Sequence, residues 1–387
     1  MKVDAYGKHA GSIVFDDRPS VVMLEVGPPP ALPDHDRDAS AASSPCGGEL
    51  TALEALNLID RVARRNTPVL VIGGQRSLAR PDLLALVQHA RRRRLRVGLA
   101  PRPLTALTPD TIEALQHAGV DQLILPLDAP VADEHDRYSG EPGAFVRTLE
   151  SIGYANDCRL PVQLTTRFGA RNHHHRERLA ELVEELGVAA WEASFMLPHG
   201  RDGSPAALAP HQFRDVFESL YRLDSETEAL VTLREAPHFR RFILEKEGYD
   251  AEFATLDRDL RLCAERSAHL VRGAGLSPSA GDTGRGCLFV DRLGYIYPSA
   301  SLPIRAGNVR TDTIAGVYRH SSLFTDLRAH ASLKGKCGRC ELRQVCGGSR
   351  ARAYAARGDY LAPDPACDYS PRAEPGHGQS PGTGHGS

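Results

Sequence analysis

Short apolar runs alternate with amphipathic stretches from about Ser20 to Pro198, and this rhythm limits the available folds more than any other feature of the chain. The runs Val21–Val26, Val69–Ile72, Arg96–Ala100, Gln122–Leu127, Val162–Thr166 and Ala189–Leu197 read as buried parallel strands. Helix signals with proper ends fill the gaps. Thr51 and Glu54 stand at capping-box spacing ahead of a stripe formed by Leu53, Leu56, Ile59 and Val62. Thr108 is an N-cap, Pro109 sits in the first turn and Gly119 lies just past the end of a second helix. Leu179, Leu182, Val183 and Leu186 form a further stripe that stops at Gly187. Strands and helices in this order predict an α/β fold: a parallel sheet with right-handed crossovers, open or curled towards a barrel. Ligands of such sheets sit at the carboxyl ends of the strands. The loops after each strand are therefore where function is to be sought. The first of them, "GPPPALPDHDRDASAASSPCGGEL", runs over twenty residues without a regular pattern, as functional or disordered loops do.

The second half changes character. "PHQFRDVFESLYRL" and "EAPHFRRFILEKEG" are amphipathic helices, and "CLFVDRLGYIYPS" reads as a β-hairpin turning near Leu293–Gly294. A helical pattern through "TIAGVYRHSSLFTDLRAH" then leads to a corner holding half of the chain's eight cysteines. The charge balance, 47 basic against 49 acidic residues, argues against a nucleic-acid or membrane-surface binder. The basic run Arg91–Arg94 closes a helix, where it is expected to favour the carboxyl-end dipole and be solvated. No signal peptide and no membrane-spanning stretch is read, so a cytoplasmic location is expected, where clustered thiols more often hold metal than pair as disulfides.

Cys337 and Cys340 form a CxxC pair, Cys346 comes next, and Cys367 closes the set after an intervening helix. Four soft thiolates suit zinc or an iron–sulfur cluster. "KGKCGRC" is too polar and glycine-rich to be core.

"GKCGRCELRQVCGGSRARAYAARGDYLAPDPAC" resembles the C-terminal extension of SPASM/twitch-type radical S-adenosylmethionine (SAM) proteins, near the branch of heme and heme-d1 biosynthesis. "GYIYPSASLPIRAGNV" is similar to the hairpin that precedes it there, and "LPHGR", "EAPHFRR", "LDAPVADEHDRYSGEPGAFVRTLESI" and "VQLTTRFGARN" extend the likeness over most of residues 20–370. The resemblance implies a partial (β/α)6 barrel over 20–249, after an N-terminal segment 1–19, then a linker 250–282. A small α+β auxiliary-cluster domain over 283–370 and a disordered tail 371–387 would complete the chain. It also implies that Cys337, Cys340, Cys346 and Cys367 ligate an auxiliary 4Fe-4S cluster, with zinc as the alternative.

Proteins of this kind carry CxxxCxxC in the loop after the first strand. Its three thiolates hold the 4Fe-4S cluster that binds SAM and cleaves it to a 5′-deoxyadenosyl radical. The matching loop here, "PPPALPDHDRDAS", has no cysteine. Asp36 stands at a cluster-cysteine position, and Cys46 is alone and about ten residues late. After the second strand the family's GGDP-like turn, whose backbone helps bind the amino group of SAM, reads "GGQRSLARPDL". Gly73 and Gly74 remain as cofactor-binding candidates, while Gln75 and Arg76 take the place of the family's aspartate and proline. Pro126–Leu127–Asp128 stands for a serine–leucine–aspartate after the fourth strand.

The expectation is a degenerate member: auxiliary cluster retained, SAM cleavage lost, SAM binding left open and no catalytic residue assigned. Such a chain would serve as a partner subunit, binding a small-molecule or peptide substrate or an active radical SAM enzyme. Its rivals are an enzyme with non-radical chemistry at the barrel mouth, using SAM or another ligand, and a structural zinc-bound scaffold. Ser299 replaces a cysteine common in SPASM proteins, so Cys287 is read as a packed thiol, like Cys158 and Cys263. His173–His175 is read as a solvated loop rather than a metal site. His35, between Asp34 and Asp36, lacks a second ligand group. His238 and Arg240 are expected to line the barrel mouth or to pair with Glu235.

Overall fold

The computed structural model describes residues 18–27, 48–64, 69–198, 207–246, 248 and 283–371. The first long loop with His35 and Cys46, the linker with Cys263 and the tail after Pro371 lie outside them. In the amino-terminal half the parallel strands are β1 (Val21–Glu25), β2 (Val69–Gly73), β3 (Arg96–Ala100), β4 (Gln122–Pro126), β5 (Val162–Phe168) and β6 (Ala190–Phe195), each paired with the next in parallel. Between them run α1 (Ala52–Ala63), α2 (Leu83–Arg92), α3 (Pro109–Ala118), α4 (Ala132–Ser139), α5 (Ala144–Asp157) and α6 (Arg176–Glu185).

Local chemistry sets these helices. The Thr51 hydroxyl accepts from the Glu54 N–H and the Glu54 carboxylate accepts from the Thr51 N–H, which closes the capping box of α1. The buried stripe of α1 is Ala55, Leu58, Ile59 and Val62. Leu53 is 68% exposed instead of sharing it. The cap fixes the phase of the first turn, and the i, i+3, i+4, i+7 face that results passes through Ala55, not Leu53. The Thr108 hydroxyl caps α3 by accepting from the Thr111 N–H, and Gly119 ends it at φ 100°. The basic run after α2 is not merely solvated: Arg91 pairs with Asp121 and Arg93 with Asp60, both at 2.8 Å.

A seventh parallel strand, β7 (Leu230–Leu233), comes after α7 (Pro210–Glu226) and precedes α8 (His238–Lys246). The hairpin strands β8 (Cys287–Val290) and β9 (Tyr295–Tyr297) turn at Gly294, with β10 (Gly307–Asn308) beside them. β8 pairs in parallel with β1, placing Cys287 opposite Val21, so the hairpin extends the same ten-stranded sheet. The order is β10-β9-β8-β1-β2-β3-β4-β5-β6-β7. Two short helices, α9 (Ile314–His320) and α10 (Ser322–Arg328), lead from β10 to the cysteine corner, which is framed by α11 (Gly335–Gly338) and α12 (Arg350–Arg357).

Period-two alternation sorts the side chains. Leu24, Ile72, Leu125, Leu164 and Trp191 pack into the main core, and the Trp191 indole donates to the Thr166 hydroxyl at 2.8 Å. Met23, Val71, Ile124 and Thr165 line a cavity on the other face. Among the described residues no helix is long and apolar enough to cross a membrane.

Candidate functional site

The cavity occupies 260 Å³ at the carboxyl ends of the strands, lined also by Glu25, Gly73, Gly74, Gln75, Arg102 and Pro126. The ends of β1 and β2 close on each other here. The Val26 N–H donates to the Gly73 carbonyl at 2.7 Å. Gly74 has φ 132°, and a Cβ on it would meet the Val26 carbonyl oxygen at 2.2 Å. Only glycine fits so close a backbone approach. This packing accounts for Gly74 before any ligand is considered.

Asp128 stands beside the cavity rather than in its lining. Its carboxylate accepts from the Arg167 N–H at 2.7 Å, its N–H donates to His135 Nδ1, and Asn172 donates to its carbonyl. These bonds tie the loops after β4 and β5 together. His238 and Arg240 are not at the mouth. His238 is buried with its ring 4.9 Å from those of Phe213 and Phe217, and Arg240 donates to the Val345 carbonyl. The helix they begin turns that face towards α7 and the cysteine corner.

At that corner Cys337, Cys340, Cys346 and Cys367 all line one small depression, together with Leu342, Gly347 and Gly348. All four are free thiols. Their convergence depends on tight turns: a Cβ on Gly338 would meet the Leu333 carbonyl oxygen at 2.1 Å, and a Cβ on Gly348, at φ 69°, would lie 3.4 Å from Cys337 Sγ. Burial pushes the Cys346 thiol up to about 12 and also raises Cys340 and Cys367, against backbone bonds at Leu342, Gly348 and Tyr369. Uncompensated thiolates are disfavoured in such a place, whereas a soft metal that coordinates sulfur displaces the protons outright. The donor set fits a thiolate-bound metal or cluster. Cys287, by contrast, is buried on β8 and donates to the Pro298 carbonyl.

Asp364 supports the corner from behind. Its carboxylate accepts from Arg352 Nε and Nη2 at 2.8 and 2.9 Å, with both side chains buried. It also accepts from the N–H groups of Ser349 and Ala366. Ser349 in turn caps α12 and donates to Glu235, just after β7. No sequence signal pointed to this pair, because an arginine in "RARAYAAR" reads as a solvated helix face. Burial alone would raise the Asp364 carboxyl, but the Arg352 guanidinium and the backbone donors hold it well below the usual carboxylate range. A folded value below the unfolded one gives stability that is present above about pH 4 and is lost as the pH falls. Arg352→Met, which strands a buried charge, should cost ~3–5 kcal/mol at pH 7. Denaturant unfolding should show the gap to wild type shrinking towards acid. Equal stabilities at pH 7 would show the pair to be dispensable.

Comparison with known proteins adds ancestry to this geometry. Residues 35–186 match the model of the radical SAM superfamily. The AdoMet-dependent heme synthase of Methanosarcina barkeri is 35% identical over 87% of this chain and 92% of its own length. That of Nitratidesulfovibrio vulgaris is 30% identical over 86% and 88%. Among solved structures, Streptococcus suis SuiB bound to S-adenosylmethionine superposes with a TM-score of 0.63 at 11% identity, covering 91% of this chain and 76% of that one. At that identity the likeness speaks for the fold alone.

Proposed function

Because this chain belongs to the radical SAM superfamily, we propose that it is a heme-branch member that has kept its auxiliary cluster site and lost the SAM-cleaving one, and that it acts as a substrate-binding or partner subunit. The reading is carried by one contrast. Four cysteines gather at a single depression after α8, while residues 28–45, where the family's cluster loop belongs, contain no cysteine at all. Proline and aspartate are not thiolate donors, and Cys46 alone cannot replace three. The residues present therefore do not fit the SAM-cleaving cluster. They do fit an auxiliary cluster held by Cys337, Cys340, Cys346 and Cys367, which would supply electron transfer or staple the C-terminal region.

The cavity still has the make-up of a binding site. Met23, Val71, Ile124 and Phe289 give it an apolar wall, and Glu25, Gln75 and Arg102 give it polar groups. Both relatives named above are heme synthases, which favours an iron tetrapyrrole over a peptide as the bound molecule. The domain division at residues 249 and 283 belongs to the same proposal.

The test is anaerobic purification with iron and sulfide analysis, followed by titration with heme as a tetrapyrrole probe. About four irons with matching sulfide and a saturable heme spectrum are expected. Stoichiometric zinc without sulfide would replace the cluster by a structural ion. Failure to bind heme, with no radical SAM enzyme co-purifying, would remove the subunit role.

A further inference from the structure

The loops after β4 and β5 bring together three metal-ligating side chains far from the cysteine corner in chemistry and in sequence. Helix α4 carries Glu134, and the 3-10 turn that opens α6 carries His174 and His175. One ligand atom from each of the three lies within 4.8 Å of the others. The His174 and His175 rings stand 4.0 Å apart, and His175 Nε2 meets Glu134 Oε2 at 2.5 Å. We propose that Glu134, His174 and His175 form a binding site for a divalent transition cation such as zinc.

The donor set supports this reading. Two imidazoles and one carboxylate are borderline ligands that suit zinc, and three protein ligands with a position left for water is a recurrent zinc arrangement. His175 Nε2 and Glu134 Oε2 already face each other directly. Metal–ligand bonds of about 2.0–2.2 Å place tetrahedral ligands ~3.3 Å apart. The two side chains need separate by less than about 1 Å to admit the ion.

His173 stays out of the group. Its Nε2 faces the Gln212 amide at 3.1 Å, and its ring lies 6.0 Å from that of His174. The site is therefore built by the fold and is not a property of any three consecutive histidines. Since β4 and β5 are neighbours and both loops lie on the cavity's side of the sheet, a bound ion would pin the two loops to each other.

His173 supplies the control that separates this site from an adventitious histidine run. The full-length protein, with its cysteine corner loaded anaerobically, is titrated with cobalt(II) and zinc(II), and melting is followed with and without zinc. Cobalt should give the weak visible bands of nitrogen and oxygen ligation without intense sulfur charge transfer. Zinc should raise the melting temperature. H173A should keep both signatures. H174A and E134Q should weaken binding at least roughly ten-fold, as expected for loss of one ligand of three. His174 is exposed, so H174A should melt like wild type without metal. Unchanged affinity in H174A, an equal loss in H173A, or no binding by wild type at about 100 µM zinc would overturn the proposal, because a site able to act in a cell binds well below that level.

Discussion

Given reductant and S-adenosylmethionine, the purified chain is expected to yield no 5′-deoxyadenosine above a protein-free blank. Reductive cleavage requires an electron delivered through a cluster bound to SAM, and that cluster requires three converging thiolates. Residues 28–45 supply none. The strand that leads into this loop is intact. β1 is paired on both sides, and Gly27 leaves it at φ 108°, where a Cβ would meet the Arg76 carbonyl oxygen at 2.7 Å. On the proposed reading the loop has lost its ligands while the strand that leads into it is kept, as expected when ligands sit on a loop and not in the core. Liquid chromatography of the quenched reaction is the measurement. Turnover to 5′-deoxyadenosine by the chain alone would sink the subunit reading, since an unrecognised ligand set would have to hold the cluster. The same assay with an active heme synthase added would then show whether this chain alters that enzyme's yield.

Most of the barrel was legible in the sequence for a simple reason. A strand buried on both faces is a largely apolar run, as in β1 to β4, while β5 and β6 keep the strand pattern although they carry polar residues such as Gln163 and Glu192. β7 was missed because Leu230–Leu233 is four residues long and comes after a polar stretch, too little for a periodic signal. The hairpin was legible from its turn, yet the parallel pairing of β8 with β1 was not, because pairing between distant segments leaves no local mark. The same division holds at the sites. The cysteines were read together because their spacing is local. Glu134 went unnoticed beside His174 and His175, and Asp364 beside Arg352, because only the fold makes those groups neighbours. His238 shows the opposite error: a histidine in "EAPHFRR" was expected at the mouth or beside Glu235, and the helix phase buried it between phenylalanines.

Cys346→Ala is expected to abolish cluster assembly and loosen everything from Gly335 to Pro371. Cys346 lies in the same depression as the other three thiols, so its loss leaves three thiolates whose burial is no longer offset by coordination. Small metal-bound regions of this kind gain their folding free energy from the ligand set. The iron content should drop from about four per chain to near zero. Limited proteolysis should cut first in the cysteine region. The damage should then reach α8, because that helix is bonded to the corner: Arg240 donates to the Val345 carbonyl, Arg241 pairs with Asp368 at 2.5 Å, and Leu244 packs on Leu342. β1 to β6 share none of these bonds, and their far-ultraviolet signal and the cavity's ligand binding should survive. A variant with unchanged iron and unchanged cleavage would show that Cys346 is a bystander. Global unfolding would show instead that the corner is a keystone of the whole sheet, through the link from Ser349 to Glu235 at the end of β7.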